Sequence, residues 1–212
     1  MLHSAQGYKV SGHNLLEEGY RLTSDVSFES NVDADKIIGV LQHYIVMHDE
    51  PMFFILELPA SFDKEQKPEN GILQETHTEI YYIDGCTVDE CLVLLDRFGD
   101  LLINDGMSEF GFGCHSFKDE IMVRKYNIIT IYAKDTDEFE GFFEAHEIEK
   151  KDGLITAWNT FTPDSPGECS RYICKEKSVY DIPEMLKDWG IYLAETRTNV
   201  VPTKIETANS DD

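Results

Sequence analysis

Thr87-Val88-Asp89-Glu90, Asp105-Gly106, Phe110-Gly111-Phe112-Gly113 and Ile128-Ile129-Thr130-Ile131-Tyr132-Ala133 lie within residues 87–135, and their reading decides the fold. Thr87 and Glu90 have capping-box spacing, in which each side chain satisfies an amide at the start of a helix. Val88, Cys91, Leu92, Leu95 and Phe98 recur as one apolar helical face, and Gly99 stands where a left-handed residue would end it. Asp105-Gly106, between residues 101–104 and 107–112, has the form of a two-residue hairpin turn. Gly111 and Gly113 contain a G-x-G, but no helix start follows to receive a phosphate. They read instead as a bulge or a close backbone approach in a curved strand. Residues 121–133 are β-rich and predict the longest strand in the chain.

Working outward toward the start, residues 1–19 predict no element. Tyr20, Leu22, Val26 and Phe28 alternate as in a half-buried strand. Asn31 or Asp33 offers a cap for a helix to about Met47, with Ile37, Ile38, Leu41, Tyr44 and Ile45 as its stripe and Pro51 marking the exit. Residues 52–58 are nearly all apolar, as in a central strand covered on both faces, with Glu57 the one charge. Residues 60–74, with Pro68 and Asn70-Gly71, read as a loop, and residues 78–83 as a strand ended by Asp84-Gly85. Toward the end, Asp135-Thr136 starts a third helix with Phe139, Phe142, Phe143 and His146 on one face. Residues 154–162 and 171–174 predict strands, Asp181 with Pro183 starts a short helix through Trp189, and residues 191–196 close the sheet. Helix followed by strands recurs, as in helix-strand-strand units, and the connections are too short for many parallel crossovers. The expectation is an α+β fold: a mostly antiparallel sheet with three or four helices packed on one face. Residues 1–200 read as a single domain and residues 201–212 as a mobile acidic tail.

The balance of 41 Asp and Glu against 18 Lys and Arg gives a formal charge of −23. Such a charge repels nucleic acid and anionic membranes unless a basic patch intervenes, and the densest basic pairs are only Arg124-Lys125 and Lys150-Lys151. Nucleic acid is therefore not an expected partner, whereas a basic protein is. No run approaches the roughly 18 apolar residues of a membrane span. Residues 1–10 lack the pattern of a secretory signal, so the five cysteines read as reduced thiols in a cytoplasmic protein.

Candidate chemistry is sparse. Cys86-x4-Cys91 and Cys169-x4-Cys174 superficially resemble zinc spacings, but Cys91 falls on an apolar helical stripe and reads as a buried small hydrophobe, so no metal or cofactor is expected. There is no G-x-S-x-G elbow. Asp105, Glu109, Cys114, His115 and Glu120 form the best cluster for an enzyme or small-molecule site. Its bland counterpart is a polar sheet edge, because neighbours such as Cys114 and His115 point to opposite faces of a strand. His146 reads as a satisfied boundary histidine. The acidic run is more telling: Asp135, Asp137, Glu138, Glu140, Glu144, Glu147, Glu149 and Asp152 are opposed only by Lys150 and Lys151. A solvated face accounts for many such runs. The functional expectation is a non-enzymatic, acidic intracellular binding protein that uses Glu138, Glu140, Glu144, Glu147 and Glu149 to engage a basic protein. An immunity or inhibitor protein that neutralises a basic toxin or nuclease would have this size and charge. A third expectation is a structural scaffold or homo-oligomer built through an exposed sheet edge.

Overall fold

A computed structural model describes residues 2–10, 12–60 and 75–200. Most of the loop expected over residues 60–74, and the tail expected over 201–212, lie outside them. The architecture is α+β, with an eight-stranded, wholly antiparallel sheet at its centre. In chain order the elements are β1 (Tyr8–Lys9), β2 (Gly19–Ser24), β3 (Ser27–Asn31), α1 (Ile37–Val46), β4 (Met52–Pro59), β5 (Glu75–Cys86) and α2 (Val88–Asn104). There follow β6 (Glu109–Cys114), β7 (Asp119–Arg124), β8 (Ile128–Ala133), β9 (Glu168–Cys169), α3 (Ile182–Met185) and β10 (Tyr192–Val200). The sheet order is β10-β5-β4-β6-β7-β8-β3-β2, while β1 and β9 pair separately. Twice a helix is followed by a pair of strands, α1-β4-β5 and α2-β6-β7, and the two pairs meet where β4 lies beside β6.

The capping box at Thr87 forms as its spacing predicts: Glu90 N donates to Thr87 Oγ1 at 3.1 Å, and Thr87 N donates to the Glu90 carboxylate at 2.8 Å. The helix it starts does not stop at Gly99 but runs on to Asn104. Gly99 marks instead where α2 crosses α1, since a Cβ there would lie 2.6 Å from Ile38 Cδ1. Leu101, Leu102 and Ile103, expected in a strand, are the buried last turn of this helix. There is accordingly no hairpin at Asp105-Gly106. Asp105 is fully buried, and its carboxylate accepts from the amides of Met107 (2.8 Å), Ser108 (2.9 Å) and Tyr172 (3.0 Å). Gly106 packs back to back with Gly7: a Cβ on Gly106 would lie 2.2 Å from Gly7 O, and one on Gly7 would lie 2.2 Å from Gly106 N. Ser170 bridges the pair, donating its amide to Gly7 O at 2.8 Å and accepting from Gly106 N at 2.9 Å.

The long strand expected over residues 121–133 is two strands, β7 and β8, joined by a tight turn at Lys125–Asn127. Tyr126 (φ 65°) and Asn127 (φ 61°) are both left-handed, which lets the chain reverse within the three residues between Arg124 and Ile128. Asn127 also does work of its own. Buried at 1% exposure, it accepts from Ala5 N at 3.0 Å and donates to the carbonyls of His3 (3.3 Å) and Val32 (3.2 Å). This ties down the first residues, for which no element was expected. Asn127→Ala is expected to lower stability by about 2–4 kcal/mol, because it strands buried backbone groups and puts a β-carbon residue with no local hydrogen bond at positive φ. Urea unfolding measures this; a loss below about 0.5 kcal/mol would contradict the role.

The single strand expected over residues 20–28 is likewise the β2–β3 hairpin. The third helix is replaced by two 3-10 turns, Thr136–Phe139 and Glu144–His146, separated by Gly141 at φ 76°. The chain nevertheless buries Phe139, Phe142 and Phe143 as the spacing implied. Residues 154–162 hold only a 3-10 turn at Ala157–Asn159 and an isolated bridge from Thr162 to Ser165, and residues 171–174 make only an isolated bridge from Cys174. The short helix begins near Asp181 as expected but ends at Met185, with a separate 3-10 turn at Lys187–Trp189 in place of its last turn, and the strand expected over 191–196 is β10, running on to Val200.

One face of the sheet packs on α1, α2 and α3 through a large core containing Leu56, Phe54, Phe110, Phe112, Ile121, Ile129 and Ile131. Its other face carries a small cluster of Phe53, Ile55, Ile80 and Met122, with Tyr82 against it, and no helix among the described residues. Gly111 and Gly113 belong to this face. A Cβ on Gly113 would lie 2.1 Å from Phe53 Cζ, and one on Gly111 would lie 2.5 Å from Met122 Sδ, so the large side chains of neighbouring strands lie down over the glycines. The expectation of a close approach in a strand holds.

Candidate functional site

The acidic run is laid along the border of the sheet formed by β2 and β3. Phe143 stacks on Tyr20 with ring centroids 4.7 Å apart, and Phe139 and Phe143 both contact Phe28. His43 stacks on Phe142 at 4.7 Å and hydrogen-bonds His146, Nδ1 to Nε2 at 3.0 Å. That bond requires one unprotonated acceptor. Burial, His43 and Lys36 hold the His146 pKa below its usual value, in keeping with a neutral ring. Around this aromatic base Asp135, Asp137, Glu138, Glu140, Glu144, Glu147, Glu149 and Asp152 are all exposed. Among the described residues none of the eight is ion-paired with Lys or Arg. Lys151, one of the two cations in the run, is turned to Glu17 at 2.7 Å. Glu144 accepts from the Tyr20 hydroxyl, whose pKa is pushed up to about 12 by burial and by that carboxylate. The five glutamates expected to bind a partner thus form a ridge around turns rather than one helical face, because two 3-10 turns point successive residues in different directions.

The Asp105, Glu109, Cys114, His115 and Glu120 cluster is not assembled as one site. Asp105 is consumed by three backbone amides in the interior. Cys114 faces the helices, buried, with its thiol toward Asp49 O at 3.5 Å. Glu109, Glu120 and His115 do reach the face without helices. Glu109 holds Arg124 at 2.7 Å, and Arg124 also reaches Glu57 at 3.6 Å. Burial raises the Glu57 pKa, Arg124 opposes this, and the nearby Glu109 adds to it. The cleft beside Glu57 and Glu109 holds about 80 Å³, well below the several hundred Å³ of an ordinary ligand pocket. His115 lies over Phe53 at 4.7 Å and 3.4 Å from Asp84, exposed.

Sequence reading did not find the buried charge cluster. His48 and Asp119 have side chains 2% and 1% exposed and meet Nε2 to Oδ2 at 2.8 Å. His48 Nδ1 lies 2.7 Å from Tyr44 O, and the Tyr44 hydroxyl donates to Asp119 Oδ1 at 2.7 Å. A carbonyl on one ring nitrogen and a carboxylate on the other both demand N–H, so His48 is an imidazolium. Burial alone would lower its pKa, but the Asp119 and Tyr44 hydrogen bonds and the Asp119 charge reverse this and the net shift is upward. With both nitrogens donating, no ring atom is left to act as a base toward Cys114, and the cluster reads as structural. His48 and Asp119 are 71 residues apart, so no local spacing could have flagged them.

A cleft of about 590 Å³ is lined by Leu2, Leu16, Asn14, Glu17, Glu18 and Asp33, with Lys151 closing it. Its carboxylates are already engaged: Glu17 by Lys151, Glu18 by Lys36 at 2.7 Å, and Asp33 by the amides of His3 (2.9 Å) and Asp35 (3.1 Å). Near it, ligand atoms of His3, Asp33 and Asp35 fall within 4.8 Å of one another, with His3 and Asp35 exposed. No helix among the described residues is long and apolar enough to cross a membrane. Comparison with protein-family models, with curated proteins and with solved structures finds no match to this chain.

Proposed function

We propose that this chain is a non-enzymatic, cytoplasmic protein-binding protein whose acidic ridge engages a basic partner, in the manner of an immunity or inhibitor protein that neutralises a basic toxin or nuclease. The observation that carries this reading is the contrast in how carboxylates are used. Glu17, Glu18, Glu29 and Glu109 each hold a Lys or Arg of their own chain, whereas the eight acids of residues 135–152 are exposed without one. They are also held on a base of packed aromatic rings, so their repulsion is not relieved by the segment moving away. Like charges gathered on a fixed surface raise the local potential, and a cationic partner relieves it while gaining a faster encounter. The alternative, an enzyme or small-molecule site over Asp105, Glu109, His115 and Glu120, has less support because Asp105 is committed to the interior.

Affinity capture of partners from the native cell, at about 50 mM and about 500 mM salt, tests the reading, since screening acts over that range. The Glu138→Lys, Glu140→Lys, Glu149→Lys variant is expected to lose recovery of the captured partner about tenfold at low salt, with an unchanged thermal midpoint. Glu144 is left alone because it serves Tyr20. Recovery indifferent to both salt and charge reversal would sink the proposal.

A further inference from the structure

The two borders of the sheet are treated differently. At β2 the border is covered, because Tyr20 N donates to Glu149 O at 3.0 Å and Lys151 N donates to Tyr20 O at 2.8 Å. At the opposite border, β10 pairs with β5 from Tyr192↔Tyr82 to Val200↔Glu75, and among the described residues no strand pairs with its other side. It is nine residues long, without proline or lysine, and residues 192–198 are all exposed. Its one irregularity is the register shift between Leu193 and Glu195. Proteins blunt such edges with short strands, prolines, lysines or strong bulges, because an open ladder recruits another strand.

We propose that two copies of this chain join edge to edge through β10, antiparallel, about a two-fold axis at Thr196, making one continuous sheet. A two-fold axis that makes two edge strands antiparallel stands perpendicular to the sheet, keeps the same face upward in both copies, and passes beside a single residue. The charges select that residue. Glu195 and Arg197 flank Thr196 and share the face of Glu57, which Arg197 reaches at 3.9 Å. With the axis at Thr196, each Glu195 stands directly opposite Arg197 of the other copy, and the two Thr196 side chains meet as a favourable cross-strand pair. Moving the axis to Glu195 or to Arg197 would set like charges face to face. Within its own chain Arg197 is held loosely, at 3.6 Å from Glu195 and 3.9 Å from Glu57, which leaves the guanidinium able to turn outward. The join is independent of the basic-partner reading, and the acidic ridges, at the far border, stay free in the dimer.

Cysteine substitution reads the register directly. Residues facing each other in an antiparallel pair have Cα atoms about 4.5–5.5 Å apart, inside the disulfide range. Under mild oxidation Thr196→Cys is expected to form a covalent dimer. Thr198→Cys, which would face Ala194 of the other copy, is expected to stay monomeric on a denaturing gel, as is the unsubstituted chain. Sedimentation equilibrium from micromolar to millimolar protein should show a dimer weakened about tenfold by Glu195→Arg or Arg197→Glu and restored by the two together, since the double swap re-creates both pairs. A chain monomeric throughout, cross-linking at 198 rather than 196, or a double swap no stronger than the singles would each overturn the proposal.

Discussion

Replacing Asp119 by alanine is expected to destabilise the fold by about 3–5 kcal/mol in urea unfolding, the range for removing one partner of a buried ion pair. The loss has two parts. His48 loses its counter-charge and must either stay charged and unpaired in the core or give up its proton, and the Tyr44 hydroxyl loses its acceptor. The same pair predicts the pH dependence. The His48 pKa is raised in the folded state above the unfolded value near 6.5, so its contribution is fully present below about pH 6.5 and is lost as pH rises through the folded pKa. Wild-type stability should therefore fall as pH rises above about 6.5, through the raised folded pKa of His48. Asp119→Ala should not show that fall. Unfolding midpoints across about pH 6 to 9 measure both effects, and a variant within about 1 kcal/mol of wild type would refute the buried pair.

Gly106→Ala is expected to cost about 3 kcal/mol or more, since an added methyl would meet backbone rather than a side chain able to swing away. Gly7 cannot retreat, because its carbonyl accepts from Ser170 N and the next strand, β1, is paired with β9. Hydrogen exchange should show the Ser170 amide losing protection together with the amides of residues 107 and 108. Gly153→Ala is the control: nothing lies within 4 Å of a Cβ there, and a change within about 0.5 kcal/mol is expected. Equal effects at both positions would mean that the close crossing is not what the glycine serves.

The sequence was most legible where a local rule had no rival. Thr87 and Glu90 formed their box, residues 52–58 became the central strand, and Phe139, Phe142 and Phe143 went inside. It misled where one residue type answers two needs. Gly99 reads as a helix end but provides a helix crossing; Asp105-Gly106 reads as a turn but provides an amide acceptor and a backbone crossing. The β7–β8 turn was hidden because left-handed backbone is carried by Tyr126 and Asn127 rather than by a glycine. At the candidate surface, composition located the acids and the aromatic base. The lack of a Lys or Arg ion pair to these acids among the described residues, and the His48–Asp119 pair, depend on tertiary distances that no spacing encodes.

The junction of Gly7, Gly106 and Ser170 has a consequence for the order of assembly. Gly7 and Ser170 are separated by 163 residues, so on the ribosome residues 3–8 emerge long before the segment that holds them. The β4–β6 core can form without them, because its pairing needs only the chain from 52 to 114. Docking of residues 3–8 is then a late step that carries the cost of closing a loop of 163 residues. Until it occurs, Asn127 and the start of β6 stay open to water, and a chaperone or protease meeting the growing chain would find its vulnerable point at that unfilled seam.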